Sequence, residues 1–261
     1  MKATLLTAAA LSLLTVSAFG ADLGTDTLFK APPIPPPFTW TSCYFGAHAG
    51  GGWASKAVTD PAQLVQDSFS GGPVTAGVTT ANISPAGFLA GGQIGCDYQF
   101  APSWVVGIEG TASGSTIRGR ASAGLPLGAP GETANVTAGM DFLPSVTARL
   151  GYAVDRWLFY VKGGAALASD SYSVTGTFTV PPPTTFDFEG LDLRVGWTVG
   201  GGVEWAFSGF WSATVEYDYY QFGSGTVQMS DATNVLAGPV NVKQSVQIVK
   251  AGLNFHVWGG Q

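Results

Sequence analysis

Residues 247–258, Q-I-V-K-A-G-L-N-F-H-V-W, set Val249, Ala251, Leu253, Phe255 and Val257 against Lys250, Gly252, Asn254 and His256. Strict alternation of this kind marks a strand with one apolar face, because successive side chains point to opposite sides of a pleated sheet. The same period recurs along the chain. In 40–53, Thr41, Cys43, Phe45, Ala47, Ala49 and Trp53 oppose Tyr44, Gly46, His48, Gly50 and Gly52; in 87–100, Phe88, Ala90, Ile94, Cys96, Tyr98 and Phe100 oppose Gln93, Gly95, Asp97 and Gln99. From Trp104, Val106 and Ile108 oppose Glu109 and Thr111, and from Phe142, Val146, Ala148, Leu150 and Tyr152 oppose Thr147, Arg149 and Gly151. Strands over 157–167, 193–207 and 211–219 complete the pattern, with Lys162, Arg194, Glu204, Glu216 and Asp218 on their polar sides. Eight strands are predicted.

Alternation alone does not say which face is inside; the connections do. Ala101-Pro102-Ser103, Val154-Asp155-Arg156 and Ser208-Gly209-Phe210 join strands by short turns, whereas 54–85, 113–139, 170–191 and 223–244 read as long loops. Short turns alternating with long loops through an even strand number is the layout of an outer-membrane barrel, with its apolar faces turned to lipid. The fold class is therefore all-β: an eight-stranded antiparallel transmembrane β-barrel with short periplasmic turns and long extracellular loops. Residues 74–83 could extend one further hairpin above the membrane, leaving eight or ten strands. Trp40, Trp104, Trp157, Trp205, Trp211 and Trp258 fall at the short-turn ends and form an expected aromatic girdle, with Trp53, Phe88 and Phe142 near the opposite rim. The last strand is expected to close the ring against 40–53, leaving no free edge.

Composition agrees. Apolar residues make up 46% of the 261, charged ones 11%, and there are 37 glycines, which favours strands and turns over helices. Met1-Lys2, the apolar run Ala3 to Val16 and Ala18-Phe19-Gly20 read as a signal peptide over residues 1–20, cut before Ala21. A membrane-anchoring helix would need a longer apolar span. Removing Lys2 takes the 11 basic residues to ten against 17 acidic, a net charge of −7, which excludes nucleic acid as a partner. A-P-P-I-P-P-P-F at 31–38 is extended, so residues 21–39 form a Pro-rich periplasmic tether, with docking of a partner the less common alternative. The barrel then occupies 40–261.

The polar faces become the lumen. Asp97, Glu109, Glu204, Glu216 and Asp218 face Arg149, Lys162, Arg194 and Lys250, and such charges are tolerable only when paired or hydrated. Eight strands enclose so little space that side chains fill it, which favours a salt-bridged plug over an open pore. Inward glycines, including Gly46, Gly50, Gly52, Gly95 and Gly151, leave room for the long side chains. An enzyme is not expected. His48 and His256 read as lumen filling with no oriented Ser–His–acid set, and Glu204 with Glu216 reads as charge balance rather than an acid pair. Gly200-Gly201-Gly202 precedes no phosphate-loop lysine, and two cysteines do not make a zinc site. No cofactor and no metal is implied.

Cys43 and Cys96 have a structural role instead. If Trp53 opposes Ala86 at the top of the first hairpin, ten residues back along each strand set Cys43 directly opposite Cys96, and the same register sets Trp40 opposite Gln99. Opposed residues on one face approach disulfide range, and the periplasm is oxidising, so a bridge is predicted; two unbonded lipid-facing residues are the alternative.

W-T-S-C-Y-F-G-A-H-A-G-G-G-W (40–53), A-R-L-G-Y-A-V-D-R-W-L-F-Y-V-K-G-G (148–164) and V-E-Y-D-Y-Y-Q-F-G (215–223) resemble the porin-family small outer-membrane β-barrels of alphaproteobacteria over residues 40–261. The resemblance implies a monomeric eight-stranded barrel supporting the cell surface of a bacterial outer membrane. Some relatives are associated with haem or host-surface binding, though no motif carries such a site across. The polar-then-apolar order of Lys250, Gly252, Phe255 and Val257 also resembles the C-terminal signal read by the barrel-assembly machinery, here continued through Trp258 to Gln261. The expected function is a structural surface barrel with a plugged lumen. The alternatives are a receptor for a surface ligand (haem-like) or a host component acting through the extracellular loops, or a narrow pore. Outer-membrane lipids are the implied partners.

Overall fold

The alternating segments form one antiparallel sheet that closes on itself. In a computed structural model, residues 38–60, 79–124, 133–178, 184–231 and 236–258 are described. Among them run β1 (Ser42–Asp60), β2 (Thr79–Ile83), β3 (Ala86–Gln99), β4 (Trp104–Gly124), β5 (Thr133–Val154), β6 (Trp157–Phe178), β7 (Thr184–Ala206), β8 (Trp211–Asp231) and β9 (Leu236–His256). The leader over 1–20 lies outside the described residues, as does the Pro-rich tether except for Phe38 and Thr39.

β2 and β3 are one wall. Lys56↔Ile83 and Trp53↔Ala86 share a single register along β1, interrupted only at Ser84-Pro85, where the Pro85 carbonyl still accepts the Ala54 amide at 2.8 Å. Each other strand pairs with its sequence neighbour, and β9 pairs with β1 from Tyr44↔His256 to Thr59↔Asn241. The ring therefore has eight walls, not ten, and no free edge. The tightest turn, Asp155-Arg156, puts Asp155 at φ 51°, the left-handed backbone that primed two-residue hairpins require and Asp tolerates.

Register fixes the shape. From Tyr44 the paired residues run Gly95, Glu109, Thr147, Gly164, Thr198, Tyr220, Val246 and back to β1 at Ala54, ten residues above the start (54 − 44). A stagger of ten residues around eight strands tilts them by about 40° from the barrel axis. β4 to β9 are 21 to 23 residues long and so rise about 50 Å, against the roughly 30 Å hydrocarbon core that nine to eleven tilted residues cross. The barrel projects well beyond the membrane.

This corrects the expected loops. Most of 113–139, 170–191 and 223–244 is strand, as are the ends of 54–85; only 61–78, 125–132, 179–183 and 232–235 remain between strands, outside the described residues. The pattern hides these strand ends because their polarity inverts along their length. In the lipid band, Phe45, Ile94, Ile108, Val146, Val161 and Val215 face outward. Beyond it, where water surrounds the wall, Ile83, Ile117, Met140 and Phe222 are buried inside while Arg118, Arg120 and Lys243 face out.

Candidate functional site

The lumen is filled in layers. At the periplasmic end Trp40, Val105, Ala153, Leu158, Tyr160 and Ala206 pack together, with Phe38 against them. Trp40 is 1% exposed, so it is not part of the aromatic girdle. It precedes β1 and shares the inward parity of Tyr44, which turns its indole into the barrel's lower end. Its amide is held by Gln99 Oε1 at 2.9 Å. Trp104, Trp157, Trp205, Trp211 and Trp258 do face outward, and Trp157 stacks on its cross-strand partner Trp205. Trp53, Phe88, Phe142 and Trp197 lie outward near the opposite rim; Trp197 stands eight residues above Trp205 on β7, about 20 Å along the barrel axis.

Above this floor sits a belt of buried charge. Arg149 is its hub: Nη2 lies 2.7 Å from Glu204 Oε2, and Nη1 lies 3.5 Å from both Glu109 Oε2 and Asp97 Oδ2. The guanidinium also donates to the Tyr44 hydroxyl and stacks 3.9 Å from the Tyr160 ring centre. Lys162 bridges Glu109 at 2.9 Å, Glu216 at 2.7 Å and Asp218 at 3.4 Å; Lys250 meets Glu216 at 3.0 Å and Asp218 at 3.1 Å. One of these contacts joins directly paired strand positions, Glu216 with Lys250, while the paired neighbours Arg149 and Lys162 share Glu109 between them. All are within 5% exposure. Arg194 is not in this belt. It lies higher, with Asp170 at 3.5 Å and Asp192 at 2.7 Å, beside Lys56, whose ammonium is 2.9 Å from Asp170. The tilt separates the two groups, because residues level along the chain pattern are not level along the barrel axis.

Between the belt and the upper cluster lies a second apolar layer of Leu89, Ile117, Met140, Leu143, Tyr220, Phe222, Val246 and Ile248 with small alanines. The lumen therefore alternates apolar floor, charged belt, apolar cap and upper ion cluster. Inward glycines make room for the belt: a Cβ on Gly107 would overlap Asp97, one on Gly200 would overlap Asp218, and one on Gly46 would overlap Asn254.

The charge pattern in the sequence does not single out Tyr44, Tyr160, Ser212 and Asn254, yet each is paired to a belt carboxylate. Their inward parity is the available signal; their partners depend on barrel curvature. Ser212, His256 and Glu204 do meet, with Ser212 Oγ 2.5 Å from Glu204 Oε1 and 2.9 Å from His256 Nε2. This is not a hydrolytic triad. The carboxylate lies near the same ring nitrogen as the serine (3.5 Å) and itself accepts the serine hydroxyl's hydrogen bond, where a triad acid would orient the opposite nitrogen. His48 likewise joins Gln93 at 2.9 Å and Ser113 at 2.7 Å as lumen filling. Cys43 and Cys96 are bonded through their sulfurs on the lipid face, at the paired position Cys43↔Cys96.

The comparisons accord with this architecture. The model of the outer membrane protein beta-barrel domain matches residues 45–255. The 31 kDa outer-membrane immunogenic protein of Brucella melitensis is 30% identical over 98% of this chain and 99% of its own length. The 25 kDa outer-membrane immunogenic protein of Brucella abortus is 26% identical over 98% of each. Among solved structures, the attachment invasion locus protein Ail of Yersinia pestis covers 82% of this chain and 99% of its own at 13% identity and a TM-score of 0.33. With a family match spanning the ring from β1 to β9, the chain belongs to the outer membrane protein beta-barrel domain family and is a barrel of the bacterial outer membrane.

Proposed function

We propose that this protein is a structural surface barrel whose lumen is closed to ions and solutes. The observation that carries the reading is the charged belt held between two apolar layers, with Arg149, Lys162 and Lys250 each committed to two or more carboxylates. A hydrated pathway would have to break both apolar layers and free those charges, which burial makes costly. Planar-bilayer recordings on the refolded full chain test this: the closed barrel gives no unitary conductance steps, and reproducible ohmic steps would overturn it in favour of the narrow pore.

A second reading, display of a ligand- or host-binding surface, draws on the strands that rise beyond the membrane and on relatives named as immunogenic outer-membrane proteins. It places recognition on the projecting strand ends and the segments joining them, and leaves the lumen as scaffold. Within either reading, residues 1–20 are a leader removed before Ala21, residues 21–39 a periplasmic tether, and β9 the strand read by the assembly machinery. The barrel acts as a monomer, with no catalytic role assigned.

A further inference from the structure

The outer wall is not evenly ridged. A groove of about 650 Å³ crosses the wall from β1 to β7, edged by exposed, outward-facing side chains. Its floor is Gly92, Gly110 and Ala112, and its sides are Ile94, Val146 and Val195. Gly92, Ala112 and Pro144 are direct neighbours across three strands, and Pro144 supplies no amide for the β5–β6 ladder, whose pairing lapses between Phe142↔Ser169 and Ser145↔Ala166. These outward glycines differ from the inward ones. A Cβ on Gly92 would have its nearest heavy atom at 3.6 Å, on Gly110 at 3.8 Å and on Gly114 at 3.9 Å. The barrel's own packing does not require glycine there; the consequence of glycine is the depression itself.

The outward face of β4 continues this groove toward the cell exterior. After Gly110, Ala112 and Gly114 come Thr116, Arg118 and Arg120. Phe142 flanks Gly114 on one side, and Phe88, hydrogen-bonded through its backbone to the Thr116 hydroxyl, flanks the other. Arg118 and Arg120 are exposed just past this aromatic rim. Asp141 takes part of the Arg118 guanidinium at 2.8 Å, leaving further donors of its five, and Arg120 has no ion pair among the described residues. An apolar channel in the outer half of the membrane thus ends at two cations at headgroup height.

We propose that this face binds one phosphate-bearing acylated lipid of the outer leaflet, an acyl chain lying in the groove and a phosphate on Arg118 and Arg120. Charge selects this occupant over a second copy of the barrel, because a two-fold contact through the same face would set the arginines against each other. The inference is independent of whether the lumen conducts.

Native mass spectrometry of the full-length protein from detergent micelles tests it, with lipid A and dephosphorylated lipid A as probes and heat-modifiable gel mobility confirming that each variant is folded. The wild type retains one lipid A and binds the dephosphorylated form about thirty-fold more weakly, as two interfacial cations predict. Arg118→Gln with Arg120→Gln lowers lipid A retention by the same factor and leaves the dephosphorylated form unchanged. Ala112→Leu, and separately Gly92→Leu, fill the groove and abolish retention of both. Equal retention of the two lipids by the wild type, or lipid A binding that survives groove filling, would overturn the proposal.

Discussion

Arg149 carries more of the lumen than any other side chain. Its guanidinium holds Glu204 and approaches Glu109 and Asp97 while lying between two tyrosine rings, so its removal leaves buried carboxylates without this cation. Replacing Arg149 by Met is expected to destabilise the barrel by about 3–5 kcal/mol, the cost of stranding a buried charge. Arg118→Met removes an exposed pair with Asp141 and should change stability by less than about 1 kcal/mol. Urea midpoints of the refolded variants measure both. Equal midpoints for Arg149→Met and the wild type would mean that water reaches the belt. The same scale explains Trp40, where side-chain parity governs position more strongly than the usual preference of indole for an interface.

Among the elements, the hairpin of β1 with β3 has two independent locks. The ladder runs unbroken from Ser42↔Asp97 to Trp53↔Ala86, and the disulfide ties the same register at Cys43 and Cys96. Converting both cysteines to Ser should lower stability by about 2–4 kcal/mol while leaving the pairing intact, because the bridge acts mainly on the unfolded chain. Denatured, unreduced wild-type protein should titrate no free thiol. An unchanged unfolding midpoint in the double variant would assign the register to the ladder alone. This register is legible in the amino-acid sequence, since Trp53 and Ala86 bound the hairpin and the cysteines fall ten residues back on each strand. The lipid-band strands are legible for a related reason: lipid on one side and charge on the other keep the alternation strict. Their upper halves are not. From Ser113 to Gly124 on β4 the apolar residue, Ile117, faces inward and the charges face outward, so a search for one continuous apolar face stops at the membrane rim. The ion partners are legible only as a set. Arg194 has the right parity but the wrong height, which only the ten-residue stagger reveals.

For the whole molecule, closure decides everything else: the lumen is enclosed, its charges paired and its edges absent only if β9 meets β1. That seam extends over sixteen residue pairs in sequence, Tyr44↔His256 to Thr59↔Asn241, and includes the outward-facing pair Ala49↔Ala251. Directly opposed positions bring Cβ atoms to about 4.5–5.5 Å, within small adjustment of a disulfide. In a Cys43→Ser, Cys96→Ser background, Ala49→Cys with Ala251→Cys should therefore oxidise to an intramolecular bridge in the folded protein, visible as loss of free thiol without dimer formation. Ala49→Cys with Val215→Cys supplies the contrast: Val215 pairs with Ala251 one strand further on, so the two cysteines lie about 9–10 Å apart across two strand spacings and should stay reduced. In an open sheet β1 and β9 would sit at opposite edges and neither pair would bridge. Bridging of the second pair but not the first would instead mean that β8 closes the ring. The first outcome alone satisfies the ten-residue stagger from Tyr44 to Ala54, and with it the lumen width that lets Arg149, Lys162 and Lys250 reach their carboxylates.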